Sequence, residues 1–168
     1  MRLFTVFIGL KLLFLYDKIY ELKILCKKIK ENIKMIENKT YKIPYKIEDP
    51  SIVKTDLLEP IPYAYKSKRS IDIIIRQPEY TSVCPMTGLP DNGCITIKYR
   101  PDETIVELKS LKYYLLQFRN VGMFYEHVVN RILDDLVQVL KPLQMEVTGE
   151  FTPRGGVSSL ATAVYEKD

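Results

Sequence analysis

The chain has 168 residues, of which 46% are hydrophobic and 27% are charged. This length and composition suit one globular domain with a hydrophobic core, and they exclude collagen-like and disulfide-stapled proteins. The net charge is +4, but it is uneven: residues 1–46 carry +7 and residues 47–168 carry −3. The larger part of the chain therefore lacks the basic surface that is typical of nucleic-acid-binding proteins.

The N-terminal segment differs from the rest of the chain. Residues Leu3 to Tyr16 are almost wholly apolar and are interrupted by Lys11, but this run is shorter than the ~20 residues of a membrane-spanning helix. Apolar residues then recur at spacings of three and four among lysines, which predicts a basic amphipathic helix. These positions are Leu15, Ile19, Leu22, Cys26, Ile29, Ile33 and Ile36.

Two interpretations of this segment stay open. The helix could dock on a membrane surface or a partner, or the segment could lie upstream of a true start at Met35. We expect an extension over residues 1–34 and one enzymatic domain over residues 35–168.

The next elements are predicted to be an irregular, proline-rich arm over residues 41–69 and then two strands. The first strand contains Ile71, Ile73 and Ile75 and is expected to end at Pro78, before a loop from Tyr80 to Gly93. The second strand presents Ile95, Ile97 and Tyr99 on one face and Thr96, Lys98 and Arg100 on the other.

The apolar period then changes to that of a helix. Two helical stripes are predicted, with ends near Asn120-Val121-Gly122 and before Pro142. They are Leu108, Leu111, Leu115 and Phe118, and then Phe124, Val128, Ile132, Leu136 and Val139. Two further strands follow, over Met145–Phe151 and Val157–Tyr165. The order ββααββ predicts an α+β fold in which two helices cover one face of a four-stranded antiparallel sheet. Because the other face needs cover, we expect an oligomer.

Cys84 and Asp91 are the first candidates for chemistry. A thiolate is a strong nucleophile at neutral pH, and an acid seven residues later could exchange protons with the reacting centre. A buried structural cysteine would give the same pattern. The three cysteines, Cys26, Cys84 and Cys94, form no CxxC pair, which predicts a reducing compartment such as the cytoplasm.

Two other segments carry candidate binding residues. Lys109 and Lys112 lie three residues apart on a helix, where they could hold phosphates or simply face solvent. Glu126 could accept paired N–H donors from a guanine-like base, or serve only as an acid near a helix N-terminus. A zinc site is disfavoured, because Cys84, Cys94 and His127 show no recognisable ligand spacing.

Four segments together resemble one family. They are Tyr80–Asp91 (YTSVCPMTGLPD), Glu107–Tyr114 (ELKSLKYY), Phe118–Asn120 (FRN) and Gly149–Gly156 (GEFTPRGG). Over residues 38–168 the sequence is similar to the NADPH-dependent 7-cyano-7-deazaguanine reductases of queuosine biosynthesis, which have the tunnelling fold of the GTP cyclohydrolase I-like enzymes. The Glu107–Tyr114 segment resembles the signature that separates these reductases from their relatives.

The resemblance implies a role for each candidate residue. Cys84 would form a covalent thioimide with the nitrile, and Asp91 would be the general acid. Val106, Glu107, Leu108, Tyr125 and Glu126 would bind the substrate base, and Lys109, Lys112 and Arg154 would contact the phosphates of NADPH. The resemblance also implies pentameric rings, stacked in pairs, with sites between subunits. No metal, no direct nucleic-acid partner and no membrane association of residues 35–168 are expected.

Two departures from the family pattern are relevant. Many members have His-Glu where this chain has Tyr125-Glu126, so either Tyr125 substitutes for that histidine or His127 reaches in from the next helical position. Asn92 and Cys94 stand where Phe and Thr are usual. The alternatives are a related amidinotransferase that acts on nitrile-bearing tRNA, a zinc cyclohydrolase of the same fold, and a non-catalytic interaction module.

Overall fold

The computed structural model of the protein describes residues 18–34 and 46–167. The chain divides into two compact units, Met1–Lys42 and Ile43–Asp168. In the first unit, residues 18–34 form a helix, α1, as the apolar spacing predicted for this stretch. All of its residues are exposed. The outer positions of that pattern, Leu15 and Ile36, and the apolar run before it lie outside the described residues. Neither α1 nor any other helix in the described ranges is long and apolar enough to cross a bilayer.

The second unit contains two antiparallel sheets. Its strands are β1 (Pro60–Pro62), β2 (Ile73–Val83), β3 (Pro90–Arg100), β4 (Thr104–Val106), β5 (Gln144–Arg154) and β6 (Val157–Glu166). The main sheet has the order β2-β3-β5-β6, and β1 pairs only with β4. The helices are α2 (Leu108–Leu116), which continues into a 3-10 turn at Gln117–Asn120, and α3 (Tyr125–Leu140).

The core lies between the helices and one face of the main sheet. Strand β3 presents Ile95, Ile97 and Tyr99 to this core, as its alternation predicted, and α3 contributes Val128, Ile132 and Leu136. The α+β fold and the ββααββ order are therefore confirmed. On the opposite face Ile74, Leu160 and Val164 are about 60% exposed, and no described helix covers them. The oligomer expected from this uncovered face stays a prediction.

The prediction that β2 ends at Pro78 was wrong. The strand continues to Val83, with a register shift between Gln77 and Tyr80. Pro78 has no N–H to donate, and the irregularity in an edge strand removes the need for that hydrogen bond. The loop predicted from Tyr80 to Gly93 was too long for the same reason, since only residues 84–89 separate β2 from β3.

Two smaller features also differ from prediction. The arm before the main sheet is not wholly irregular, because it forms two 3-10 turns and strand β1, in which Ile61 pairs with Ile105. Leu108 was expected in the core with Leu111, but it is 61% exposed while Leu111 is 2% exposed. Leu108 is the first residue of α2, and the buried residues of this helix begin only at Leu111.

Candidate active site

Cys84 lies in the tight loop that joins β2 to β3. Its N–H donates to the carbonyl of Leu89 (2.9 Å), and the N–H of Gly88 donates to the carbonyl of Cys84 (2.7 Å). Gly88 has a φ of 67°, a left-handed conformation that glycine adopts without strain. Because the hairpin is this short, Cys84 and Asp91 lie at the same end of the sheet.

The segment between the two core helices fixes the position of this loop. The N–H of Val83 donates to the carbonyl of Val121 (3.1 Å), and the N–H of Met123 donates to the carbonyl of Val83 (3.3 Å). Between them, Gly122 approaches the loop so closely that a Cβ would lie 3.3 Å from Cα of Pro85 and 2.5 Å from a methyl group of Ile47. A larger residue at position 122 would have to displace the Ile47 side chain and would press on Pro85, the residue after Cys84.

The surroundings of Cys84 favour the thiolate. Hydrogen bonding from the Thr87 side chain is the largest influence and lowers the pKa of Cys84 to about 7, against the opposing effect of burial. The backbone N–H groups of Thr87 and Met86 and the side chain of Arg154 lower this pKa further. A thiol with such a pKa is about half ionised at neutral pH, which is the condition for an enzymatic nucleophile.

Asp91 is 4% exposed and lies at the start of β3. The hydroxyl of Tyr125 donates to Oδ1 of Asp91 over 2.7 Å, and the guanidinium of Arg154 forms an ion pair with the same oxygen. Arg154 also donates to the carbonyl of Pro90 (3.4 Å). The buried carboxyl therefore has one fixed oxygen, held by donors from α3 and from the end of β5.

The ring of Tyr125 is held by Phe151. The two rings are stacked with centroids 3.8 Å apart and an interplanar angle of 9°. Phe151 has room because β3 and β5 carry glycines below it, where a Cβ on Gly93 or Gly149 would lie 3.0 Å or less from its ring. Burial raises the pKa of Tyr125, and the charges of Cys84 and Glu126 add to this effect, so Tyr125 stays a neutral donor.

The other residues predicted on α3 are placed differently. Glu126 and His127 are both exposed, and the His127 ring packs edge-on against Phe124 with centroids 6.0 Å apart. Of the two residues that could replace the usual histidine, the structure brings Tyr125 to Asp91. Asn92, the first departure in the hairpin, accepts a hydrogen bond from Thr152 at its carbonyl (3.1 Å), and Sγ of Cys94 accepts one from Arg76 (3.7 Å).

A second group of predicted residues surrounds the start of α2. The carboxylate of Glu107 caps this helix by accepting from the N–H groups of Lys109 (2.9 Å) and Ser110 (2.6 Å). These two hydrogen bonds lower the pKa of Glu107. The N–H of Val106 donates to the hydroxyl of Tyr99 (3.2 Å). The Glu107 side chain thus has a local structural task that the sequence did not reveal.

A cleft of about 260 Å³ lies between α2 and β2. Leu108, Leu111, Leu115 and Ile75 form its apolar floor, and its charged lining is Lys112, Arg76 and Glu79. Lys109 is exposed on the same helix and is not among the lining residues. A groove with an apolar floor and two cations can hold a planar ring next to phosphate groups.

The predicted residues thus form two groups. The hairpin group contains Cys84, Asp91, Tyr125 and Arg154, and the helix group contains residues 106–109 with Lys112. Among the described residues, no hydrogen bond or ion pair joins the two groups. Arg154 was expected at the cofactor, but its guanidinium lies at Asp91.

Three residues of these groups were not predicted from the sequence: Thr87 and Phe151 beside the first group, and Arg76 beside the second. Thr87 could have been found from its position three residues after Cys84, at the tip of the hairpin. Phe151 and Arg76 carried no local signal, because strand pairing brings Phe151 to its group and the packing of α2 beside β2 brings Arg76 to its group.

Comparison with known proteins shows which family the chain resembles. The family model described as "QueF-like protein" matches residues 90–168. The chain is 56% identical over 115 residues to a protein of Caldicellulosiruptor bescii, which covers 68% of this chain and 87% of that protein. It is 53% identical over 116 residues to a protein of Chloroherpeton thalassium, which covers 69% of this chain and 99% of that protein. Both relatives are named NADPH-dependent 7-cyano-7-deazaguanine reductase.

A solved structure supports the fold. The crystal structure of the archaeosine synthase QueF-Like in the apo form superposes with a TM-score of 0.53 at 19% identity, over 61% of this chain and 99% of that chain. At this identity the likeness bears on the fold alone, and it agrees with the tunnelling fold that the motifs predicted. Given the identity to full-length relatives, this chain belongs to the 7-cyano-7-deazaguanine reductase family.

Proposed function

We propose that this protein reduces the nitrile of 7-cyano-7-deazaguanine to the primary amine of 7-aminomethyl-7-deazaguanine, as a step of queuosine biosynthesis. The observation that carries the proposal is the pairing, at one end of the β2–β3 hairpin, of a thiol with a pKa of about 7 and a buried carboxyl group. A nitrile carbon needs a nucleophile, and its nitrogen needs a proton. The hairpin supplies both groups from positions 84 and 91.

In the first step, the thiolate of Cys84 bonds to the nitrile carbon. One C–N π bond becomes a lone pair on nitrogen, and that nitrogen takes a proton from Asp91. The product is a thioimide, in which the carbon is bound to Sγ of Cys84. No redox change occurs in this step, so it can be observed without any reductant.

Tyr125 and Arg154 serve Asp91 in this proposal. Both donate to Oδ1, so they orient the carboxyl group and stabilise the charge that appears on it when the proton leaves. Arg154 also favours the thiolate of Cys84. One guanidinium thus stabilises the negative charge on both reacting groups in turn.

The substrate base would be bound by Glu126, with the Tyr125 ring beside it and with Val106, Glu107 and Leu108 on the far side of the pocket. The two groups of residues are separate in the described chain, and one sheet face lacks cover. Both observations support an active site that is formed between neighbouring subunits of a ring. The family resemblance implies rings of five subunits that are stacked in pairs. The free cysteines support a cytoplasmic location.

The cleft between α2 and β2, at about 260 Å³, offers room and two cations for part of NADPH rather than for the whole cofactor. Lys112 and Arg76 would hold its phosphates, with Lys109 at the rim, and the leucine floor would take a ring. Arg154 is engaged by Asp91 and is not proposed as a phosphate ligand. When bound, NADPH supplies the hydrides of the reduction.

The decisive experiment has two parts. Protein mixed with 7-cyano-7-deazaguanine without reductant should gain the mass of the nitrile on the peptide that contains Cys84. With NADPH added, absorbance of the reduced nicotinamide should fall by two equivalents per nitrile, because the conversion takes four electrons.

Cys84→Ala should abolish both signals, while Cys94→Ala, a matched change ten residues later in β3, should leave the adduct on Cys84 intact. Absence of an adduct on Cys84 of the wild-type protein would overturn the mechanism. Metal-dependent turnover of GTP, or ammonia-dependent modification of tRNA without NADPH, would point to the cyclohydrolase or the amidinotransferase instead.

A further inference from the structure

Two buried hydroxyl groups lie on the core face of β2, beside the hairpin that carries the site. Ser82 and Tyr80 are each 1% exposed. Within the described residues, neither Oγ of Ser82 nor Oη of Tyr80 has a hydrogen-bond partner. The two hydroxyls are close enough for Ser82 to offset part of the rise that burial causes in the pKa of Tyr80. Buried hydroxyls without a partner are rare in folded proteins, so this pair needs an explanation.

The strand register places Ser82 directly opposite Asp91. Both side chains are buried on the same face of the sheet. Directly opposed residues in an antiparallel pair have Cβ atoms about 4.5–5.5 Å apart. A rotation about the Cα–Cβ bond of Ser82 is therefore enough to bring its hydroxyl to the Asp91 carboxyl group.

The two oxygens of Asp91 are not equivalent. Tyr125 and Arg154 both donate to Oδ1, so this oxygen is occupied as an acceptor. A proton carried by Asp91 then resides on Oδ2. Ser82 is the described buried hydroxyl that faces the carboxyl group from the neighbouring strand.

We propose that Ser82 is a positioning residue for Asp91, with its hydroxyl donating to Oδ2; this rests on the acid role of Asp91 in the proposed function. As the proton leaves Oδ2 for the nitrile nitrogen and Sγ of Cys84 bonds to the nitrile carbon, the carboxylate gains charge and the hydrogen bond from Ser82 strengthens. The Ser82 oxygen can in turn accept a hydrogen bond from the Tyr80 hydroxyl, so that both buried hydroxyls have a partner.

The test compares Ser82→Thr with Ser82→Val, two variants of nearly equal shape in a strand. Both add the same bulk, and only the first keeps a hydroxyl. We expect Ser82→Val to lower kcat about tenfold with little change in KM, and Ser82→Thr to stay within about twofold of the wild type. Similar unfolding midpoints in urea show that packing is not the cause. If the added bulk prevents both variants from folding, Ser82→Ala takes their place. It also removes the hydroxyl, so we expect it to lower kcat about tenfold.

Equal kcat values for the Val and Thr variants, or a wild-type kcat for Ser82→Ala, would overturn the role of Ser82. In that case an inactive Asp91→Asn and a Cys84 adduct in the wild-type protein would leave the proposed function standing. If the wild-type protein forms no adduct, the proposed function fails first and the role of Ser82 fails with it. The two failures are therefore distinguishable.

Discussion

At the scale of single residues, the contact between Thr87 and Cys84 sets the charge of the thiol. Thr87→Val removes a donor that stabilises the thiolate, so the pKa of Cys84 should rise from about 7 towards its ordinary value. The pH midpoint of iodoacetamide alkylation at Cys84 should rise with it. Mass spectrometry of the peptide isolates this cysteine from Cys94. Thr81→Val, on the preceding strand, is the control, and an unchanged midpoint in Thr87→Val would contradict the assignment.

Removal of the Tyr125 hydroxyl tests whether Tyr125 or His127 replaces the histidine that many family members have at position 125. Tyr125→Phe keeps the ring that stacks on Phe151 but removes the 2.7 Å hydrogen bond to Asp91. Loss of one hydrogen bond to a charged group should lower kcat about tenfold, with little effect on folding. His127→Ala should leave kcat nearly unchanged, since that ring packs on Phe124. The reverse result would show that His127 reaches the site in the assembled enzyme.

At the scale of elements, two strands support the site through glycines. Gly149→Ala in β5 would place a Cβ 2.7 Å from the Phe151 ring and 2.9 Å from Val129. We expect the free energy of unfolding to fall by about 1–3 kcal/mol, as in other overpacked cores. Urea unfolding measures the loss. Adding Phe151→Leu should recover part of the stability but not the activity, because Tyr125 then loses its stacking partner. Full activity in the double variant would contradict this support role.

The faces of these elements were largely predictable, and the errors lie where the apolar pattern is interrupted or absent. The periods of two and of about three and a half residues located the strands and helices, because each element buries one face. They failed at Pro78 and Leu108, where a bulge and a helix start relax the pattern. Strand β1 gave no signal, since a three-residue strand with two prolines owes its formation to β4.

At the scale of the whole molecule, the proposed ring makes a prediction about shared sites. Subunits that carry Cys84→Ala and subunits that carry Glu107→Gln should each be inactive. Co-expressed with different tags and purified as mixed rings, they should regain activity, because some interfaces join an intact hairpin to an intact α2. No recovery in mixed rings would place both groups of residues in one subunit. Sedimentation of the wild-type protein should give a multiple of five subunits.

The N-terminal unit is expected to be dispensable for chemistry. We propose that residues 1–34 are an extension of the enzymatic domain, since the match to the Chloroherpeton thalassium relative covers 69% of this chain and 99% of that protein. A variant that begins at Met35 should keep kcat and KM within about twofold, measured by NADPH oxidation. A large loss of turnover, with the urea midpoint unchanged, would show that the extension takes part in the site.

The sequence by itself determined the family and the order of elements and singled out Cys84 and Asp91 as candidates, because these depend on local period and on motifs of adjacent residues. Only the tertiary structure decided which groups surround them. Tyr125, Arg154 and Phe151 reach the hairpin through strand register and helix packing, which bring together residues up to 70 positions apart in the sequence. The same register places Ser82 opposite Asp91. Burial and hydrogen bonding, which set the reactivity of a thiol and an acid, arise only from such long-range contacts.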